Sequence, residues 1–421
     1  MPAFQPVAVA ALVAATALAS PLAVVADEAQ RDAIAADIAV VRELPPLDEI
    51  DDALISKEEL KERLPEMIAE DYSPEEAEAD GRGLIAIGLL PEGTDYLQIS
   101  LDLLGDQVAG FWDQKTDEMF VISGDGAFGP LEEFTYAHEV VHALQDAHLG
   151  LDDLMAGSIE ADADVATARA ALFEGDATIA SYDYLAANPS LAAGIATAPG
   201  ATDTAMLDAV PPALAISLVF PYLAGAEFVE ALRAEGGWDA VNAAYTDLPT
   251  STEQIMHPER YLDRDDPTPV TLPDLAPALG EGWELIDEDV MGELGIVLLL
   301  ADLQPGEGIN PFTGEIELPA PARNAADGWD GDAYALWADG DREVLVWSTV
   351  WDRESDAIAF SRALQAQTAN RFDGLYEGEI PGDVAMITDG VAARIVQTGP
   401  EVVYVLAPDL PSADAAMGAL R

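Results

Sequence analysis

Thr135-Tyr136-Ala137-His138-Glu139-Val140-Val141-His142-Ala143-Leu144-Gln145-Asp146-Ala147-His148 contains the pattern His-Glu-x-x-His. On an α-helix, residues four apart lie one turn up on nearly the same face, about 40° off alignment. His138 and His142 can therefore aim two imidazoles at one point, the geometry of a tetrahedral Zn²⁺ site. Glu139, beside them, is placed to take a proton from a water polarised there, which is the chemistry of amide hydrolysis. The chain has four histidines, and three of them, His138, His142 and His148, fall in this window; the fourth is His257. Leu131 and Phe134 before the motif, Val140, Val141, Ala143 and Leu144 within it, and Gly150 after it predict a helix that ends at Gly150.

Working outward, the composition bounds the rest. The 421 residues carry 18 Lys plus Arg against 79 Asp plus Glu, a net charge of −61, yet half the chain is apolar. That is a folded core under a carboxylate-rich surface, not the hydrophobe-poor composition of disorder. Such a surface resembles that of proteins from extreme halophiles, where high salt screens self-repulsion. It disfavours nucleic acid as a partner, since no basic stripe exists to meet phosphates, and disfavours docking on anionic membrane surfaces for the same reason. There is no cysteine, so disulfides, thiolate ligands and a cysteine nucleophile are excluded.

Residues 1–26 read as an export signal: Val7 to Val25 is almost wholly apolar, and Val24-Val25-Ala26 offers small residues before Asp27. The expected location is extracellular or at the cell surface. No second apolar run of membrane-spanning length is expected, because Ala213 to Ala226 is interrupted by Pro221. Helices are expected over Asp27–Val41, over Ser56–Ile68 with Ser56 and Glu59 as a capping box, from Ser73-Pro74-Glu75-Glu76, and over Asp95–Leu104. Gln107 to Ile122 reads as a β-hairpin directly before the motif helix, a candidate edge for an extended substrate.

The third metal ligand has three contenders. His148 has the spacing of the metzincin pattern, but Gln145 stands where that pattern needs a glycine, and on an unbroken helix His148 points about 120° away from His142. Glu174, in Ala171-Leu172-Phe173-Glu174-Gly175-Asp176-Ala177-Thr178, sits on an alanine-rich helix expected to start near Ser158 and leads the set; Glu160 is the other carboxylate. Asp176 or Asp164 is expected to orient a ligand histidine through its second nitrogen, and the sequence does not choose between them. Farther on, Ser251 to Tyr261 reads as a polar, proline-marked loop whose His257, with Arg260 and Tyr261 in reserve, is the expected oxyanion stabiliser.

Phe134 to His148, Ala171 to Thr178, Pro249 to Tyr261 and Gly328-Trp329-Asp330-Gly331-Asp332-Ala333-Tyr334 together resemble a group of exported HExxH proteins that includes haloarchaeal surface proteins and bacterial relatives. The likeness spans roughly residues 40 to 365 with order kept. It implies a gluzincin-type zincin fold with Glu174 as third ligand. The His257-Pro258 segment is also similar to a loop that approaches the zinc in some membrane-bound and periplasmic gluzincins, where a histidine can occupy the open metal position and hold the enzyme latent.

Pro267 to Leu279 is linker-like, Asp289 to Asp302 is an apolar helix, and Gln304 to Arg323 reads as a loop or boundary. From Asp332 the period shortens: strands at Tyr334–Trp337, Glu343–Thr349, Val384–Ile387, Ala392–Gln397 and Val402–Leu406, with helices at Glu354–Thr368 and Ser412–Leu420. The expected fold class is α+β: a signal over 1–26, a helical region over 27–105, a mainly helical zincin-like domain with a sheet edge over 106–320, and a small α+β domain over 321–421. The expected function is that of an exported zinc-dependent metallopeptidase acting on a peptide or protein substrate. His138, His142 and Glu174 hold Zn²⁺, and Glu139 and His257 act on the substrate. The alternative is a non-catalytic or latent cell-surface protein of zincin fold.

Overall fold

A computed structural model describes residues 11–12, 28–113, 118–123, 126–159, 161–198, 206–310 and 315–420. The expected export signal lies outside them except for Ala11–Leu12, a two-residue strand β1; Glu160 also lies outside them.

The first half is helical around a small mixed sheet. After α1 (Glu28–Arg42) come β2 (Asp51–Ile55), α2 (Lys57–Asp71), α3 (Pro74–Ile87) and α4 (Tyr96–Gln107). The capping boxes form as the residues dictate: Ser56 with Glu59 starts α2, and Ser73 with Glu76 starts α3, followed by Pro74 at its first position. The hairpin follows as β3 (Val108–Asp113) and β4 (Glu118–Ile122), antiparallel. The sheet order is β1-β3-β4-β2, with β2 parallel to β4. That parallel partner had no local signal, because it is drawn from the break between two helices.

The motif helix α5 (Pro130–Leu149) lies against β3 and ends at Gly150, whose φ of 75° is left-handed. Next come α6 (Leu151–Ile159), α7 (Ala163–Ala187), α8 (Pro189–Ile195), α9 (Pro212–Gly236) and α10 (Trp238–Ala244). The helix bearing Glu174 starts at Ala163, later than the sequence suggested, because Asp162 caps it by accepting from the Val165 N–H. Pro221 does not interrupt α9, which runs through it and is long and apolar enough to cross a membrane. Most of its apolar window is nonetheless buried inside the molecule. α7 and α9 pack backbone to backbone: a Cβ on Gly225 would stand 2.0 Å from the Ala171 carbonyl oxygen, and one on Gly175 would stand 2.2 Å from the Gly225 carbonyl.

The expected loop at 251–261 is two short helices, α11 (Thr252–Met256) and α12 (Pro258–Asp263). Ser251 caps the first through the Gln254 N–H, and Pro258 opens the second. Then come α13 (Ala276–Leu279), β5 (Glu284–Asp289), α14 (Gly292–Leu300) and α15 (Ala320–Ala326). The last part comprises β6 (Trp329–Asp339), β7 (Arg342–Trp351), α16 (Glu354–Arg371), β8 (Tyr376–Gly378), β9 (Asp383–Thr388), β10 (Val391–Thr398), β11 (Glu401–Ala407) and α17 (Leu410–Ala419).

The seven strands β5 to β11 form one antiparallel sheet in the order β5-β6-β7-β11-β10-β9-β8. Alternation along β6 and β7 assigns its faces. Tyr334, Leu336, Leu345 and Trp347 turn toward α14 to α16, while Ala335, Trp337, Val344 and Val346 belong to the core under α13 and α17. The sheet takes in β5, a strand upstream of residue 321. The Gly-Trp-Asp-Gly-Asp stretch has a structural use here. Asp332 accepts from the Trp329 and Trp347 indole N–H groups at 2.9 and 2.8 Å, and from the Met291 and Gly292 amides at 3.0 Å each. It thereby ties the sheet to the start of α14. The fold class is α+β.

Candidate metal centre

His138 and His142 stand one turn apart on α5, and Glu174 reaches them from the middle of α7. All three are buried, and their ligand atoms lie within 4.8 Å of one another. His138 Nε2 is 3.1 Å from His142 Nε2 and 3.1 Å from Glu174 Oε2, and His142 Nε2 is 3.3 Å from the same oxygen. Ligands about 2.05 Å from a zinc ion at tetrahedral angles stand about 3.3 Å apart, so the triangle has the size of a zinc face.

The network around the rings assigns their tautomers. His142 Nδ1–H donates to Gln145 Oε1 at 2.8 Å, and Gln145 Nε2 donates in turn to the Phe173 carbonyl at 2.9 Å. His138 Nδ1 faces Ser181 Oγ at 3.4 Å. Both Nε2 lone pairs are thus left to converge on the Glu174 carboxylate. Two nitrogen lone pairs and a carboxylate oxygen at these separations repel unless a cation lies among them, a proton between a ring and Glu174 or a divalent metal, and the two-nitrogen, one-carboxylate donor set is one that a divalent metal accepts. The charges follow. Burial lowers the His138 imidazole. On His142 burial also pulls downward, but the Glu174 carboxylate outweighs it and the net shift is upward. Burial opposes the ionised form of Glu174, yet the facing histidines hold its carboxyl down to about 2.

Gln145, the residue that breaks the metzincin pattern, is therefore what orients a ligand histidine. The expected orienters do something else. Asp176 makes a buried ion pair with Arg42, at 2.5 and 2.9 Å, and accepts from the Tyr245 hydroxyl at 2.7 Å. Asp164 accepts from Thr252. The Arg42 pair clamps α1 onto α7 two residues beyond Glu174, which fixes the carboxylate helix rather than a ring.

Glu139 is buried on the same helix, and its Oε1 has no hydrogen-bond partner. Burial pushes its carboxyl up to about 8. β3 passes directly beneath: a Cβ on Gly110 would stand 3.0 Å from Glu139 Oε1 and 2.6 Å from Thr135 Cγ2, so only glycine lets the strand lie that close. Tyr222 of α9 is hydrogen-bonded to Glu174, with its ring 6.1 Å from that of His138. Sequence reasoning missed it; the only available signal was its position in the helix that Gly225 presses onto Ala171.

The remaining expected residues are not in this group. The unbroken α5 turns His148 outward, where its Nε2 meets the Pro45 carbonyl at 2.8 Å. His257 ends α11, and its Nε2 lies 3.1 Å from Glu293 of α14. Arg260 pairs with Asp265 and Asp352, and the Tyr261 hydroxyl donates to the Asp247 carbonyl.

No curated protein and no solved structure matches this chain. Residues 283–417, which hold the seven-stranded sheet and none of the triad, match the model of a domain of unknown function, DUF8575.

Proposed function

We propose that the chain is an exported zinc-dependent peptidase of gluzincin type. The observation that carries this reading is the buried convergence of His138, His142 and Glu174, with the unpartnered Glu139 Oε1 beside it. A zinc ion held by the three ligands supplies Lewis acidity toward a water molecule and a peptide carbonyl. Glu139 Oε1 takes the proton that the attacking water loses and returns it to the departing amine. The Tyr222 phenol donates to the oxyanion that forms at the carbonyl. In this reading it takes the role expected of His257, because Tyr222 stands against the triad whereas His257 is paired with Glu293 of α14. An extended substrate adds to the edge of β3, over Gly110, where Ala11–Leu12 of the chain itself pairs antiparallel. The net charge of −61 supports a protein that works in high salt, and the apolar stretch before Asp27 supports export.

Metal content in molar salt tests the ligand set. The wild type should hold about one zinc, Glu174→Ala should lose it, and His148→Ala should keep it. Glu139→Gln should keep the zinc and lose peptide hydrolysis by about 100-fold or more. Hydrolysis that survives Glu139→Gln would sink the peptidase reading and leave a zincin-fold surface protein in its place.

A further inference from the structure

His257 stands at the corner where α11 ends and Pro258 opens α12, and this corner faces the C-terminal unit. Its Nε2 lies 3.1 Å from each carboxylate oxygen of Glu293, on α14. The Glu293 side chain is 2% exposed and that of His257 35%, and Glu293 Oε2 makes no hydrogen bond. Three residues on, Arg260 reaches the same way. It pairs with Asp352, just beyond β7, at 2.6 Å, with Asp265, and with the buried Glu253 at 3.6 Å. Glu293 and Asp352 lie within residues 283–417, whereas His257 and Arg260 precede them. In a chain with 18 Lys plus Arg against 79 Asp plus Glu, one corner thus spends two cationic side chains on carboxylates of the next unit.

Behind the corner, α11 is wedged between α7 and α14. The Thr252 amide and hydroxyl donate to Asp164 at the start of α7, and the Thr252 oxygen accepts from the Leu294 amide of α14 at 3.2 Å. α9 meets the corner through Phe228, whose ring lies 5.2 Å from that of Tyr261. The charges acting on His257 include Glu293 of α14, Glu253 of α11 and Glu259 of α12. Asp327, just after α15, and Arg260 act on Glu293, and Asp352 acts on Glu253. The hydrogen bond to Glu293 raises the His257 imidazole above its ordinary value. Burial opposes a lone charge on Glu293, so the pair keeps one proton between its two side chains.

We propose that this corner is a proton-dependent latch between the triad helix α7 and the C-terminal unit. With His257 protonated, a charge-assisted bond to Glu293 holds α11 and α12 on α14. Loss of the proton leaves a neutral donor facing a buried carboxylate, and the latch loosens. The folded state binds this proton more tightly than the unfolded chain does. Its contribution is therefore complete below the unfolded value of about 6.5 and is lost as pH rises through the folded value. The latch requires neither zinc nor hydrolysis.

The test uses the full-length protein in molar KCl between pH 5 and 9. The chain has four histidines, so the His257 imidazole is identified in ¹⁵N-histidine NMR spectra by the signal missing from His257→Gln. It should titrate above free histidine in the wild type. In Glu293→Gln, which keeps the shape of the carboxyl but not its charge, it should titrate at lower pH. Hydrogen exchange reads the latch itself, with His257→Gln as the reference because glutamine keeps a neutral donor. At pH 6 the wild type should protect the amides of α11 and α14 about fivefold more than this variant. The advantage should vanish by pH 9, while β7, β10 and β11 exchange alike in both proteins. Glu293→Gln should show no such dependence on pH. An imidazole that titrates at the same pH with and without the Glu293 charge, or an advantage at α11 and α14 that does not change with pH, would overturn the proposal.

Discussion

Tyr222 shows how a residue can stand at the candidate metal centre without any motif. Its phenol reaches Glu174 from α9, a helix that contributes no ligand, so its place at the centre depends wholly on packing. Tyr222→Phe keeps the ring and removes only the donor. If the hydroxyl steadies the oxyanion, kcat should fall by about 100-fold with KM little changed and the zinc content intact. A loss of zinc instead would make Tyr222 a support for Glu174. Gln145 acts at the same scale in the opposite direction. In a metzincin-like reading it is a defect, but in the fold it accepts from His142 Nδ1 and secures the Phe173 carbonyl. One side chain thus links the histidine helix to the carboxylate helix. His148, three residues on, is spent on a loop carbonyl.

Between elements, the contact that matters most is α7 against α9. Gly175 directly follows Glu174, and Gly225 lies three residues beyond Tyr222, so the two glycines set the depth at which both side chains meet the histidines. A methyl on Gly225 has no flexible neighbour to displace, because the nearest atom is the Ala171 carbonyl oxygen at 2.0 Å. Gly225→Ala should therefore cost about 1–3 kcal/mol in stability and weaken zinc binding as well. Denaturant unfolding combined with a zinc-chelator competition separates the two effects. Unchanged stability would mean that the helices can slide apart freely. The helix starts behave more locally. Ser56 and Ser73 each close a capping box that the four-residue pattern alone announces.

At the scale of the whole molecule, acidity reaches the interior as well as the surface. Asp287 of β5 sits where α3 meets the C-terminal sheet, accepting from the Tyr334 hydroxyl at 3.0 Å and touching Gly83. Burial, with Asp80 nearby, pushes its carboxyl up to about 7. The folded state thus binds this proton more tightly than the unfolded chain does. The stabilisation is complete below the unfolded value of about 4 and is lost as pH rises through about 7. The span amounts to at most about 4 kcal/mol, of which the part above pH 5 is accessible. Between pH 5 and 8 in constant molar salt, the wild type should lose stability relative to Asp287→Asn. Parallel curves for the two proteins would show that Asp287 does not govern that junction. Comparing the two chains cancels the general repulsion of a net charge of −61.

Spacing along the chain was enough for whatever depends on near neighbours. Two histidines four apart share a helix face because 3.6 residues make a turn. The capping boxes, the hairpin, Gly150 and the alternating strands after Asp332 are local for the same reason. The outward turn of His148 followed from the unbroken helix, and Glu174 led its rivals because an alanine-rich helix can approach another closely. What tertiary structure alone decided involves groups far apart in sequence. These are the parallel pairing of β2 with β4, the inclusion of β5 in the C-terminal sheet, the burial of α9 through Pro221, the diversion of Asp176 to Arg42 and of His257 to Glu293, and the arrival of Tyr222 at the triad. None of these has a period or a spacing to read. Each is settled by which buried surfaces meet and which polar atoms must then find partners.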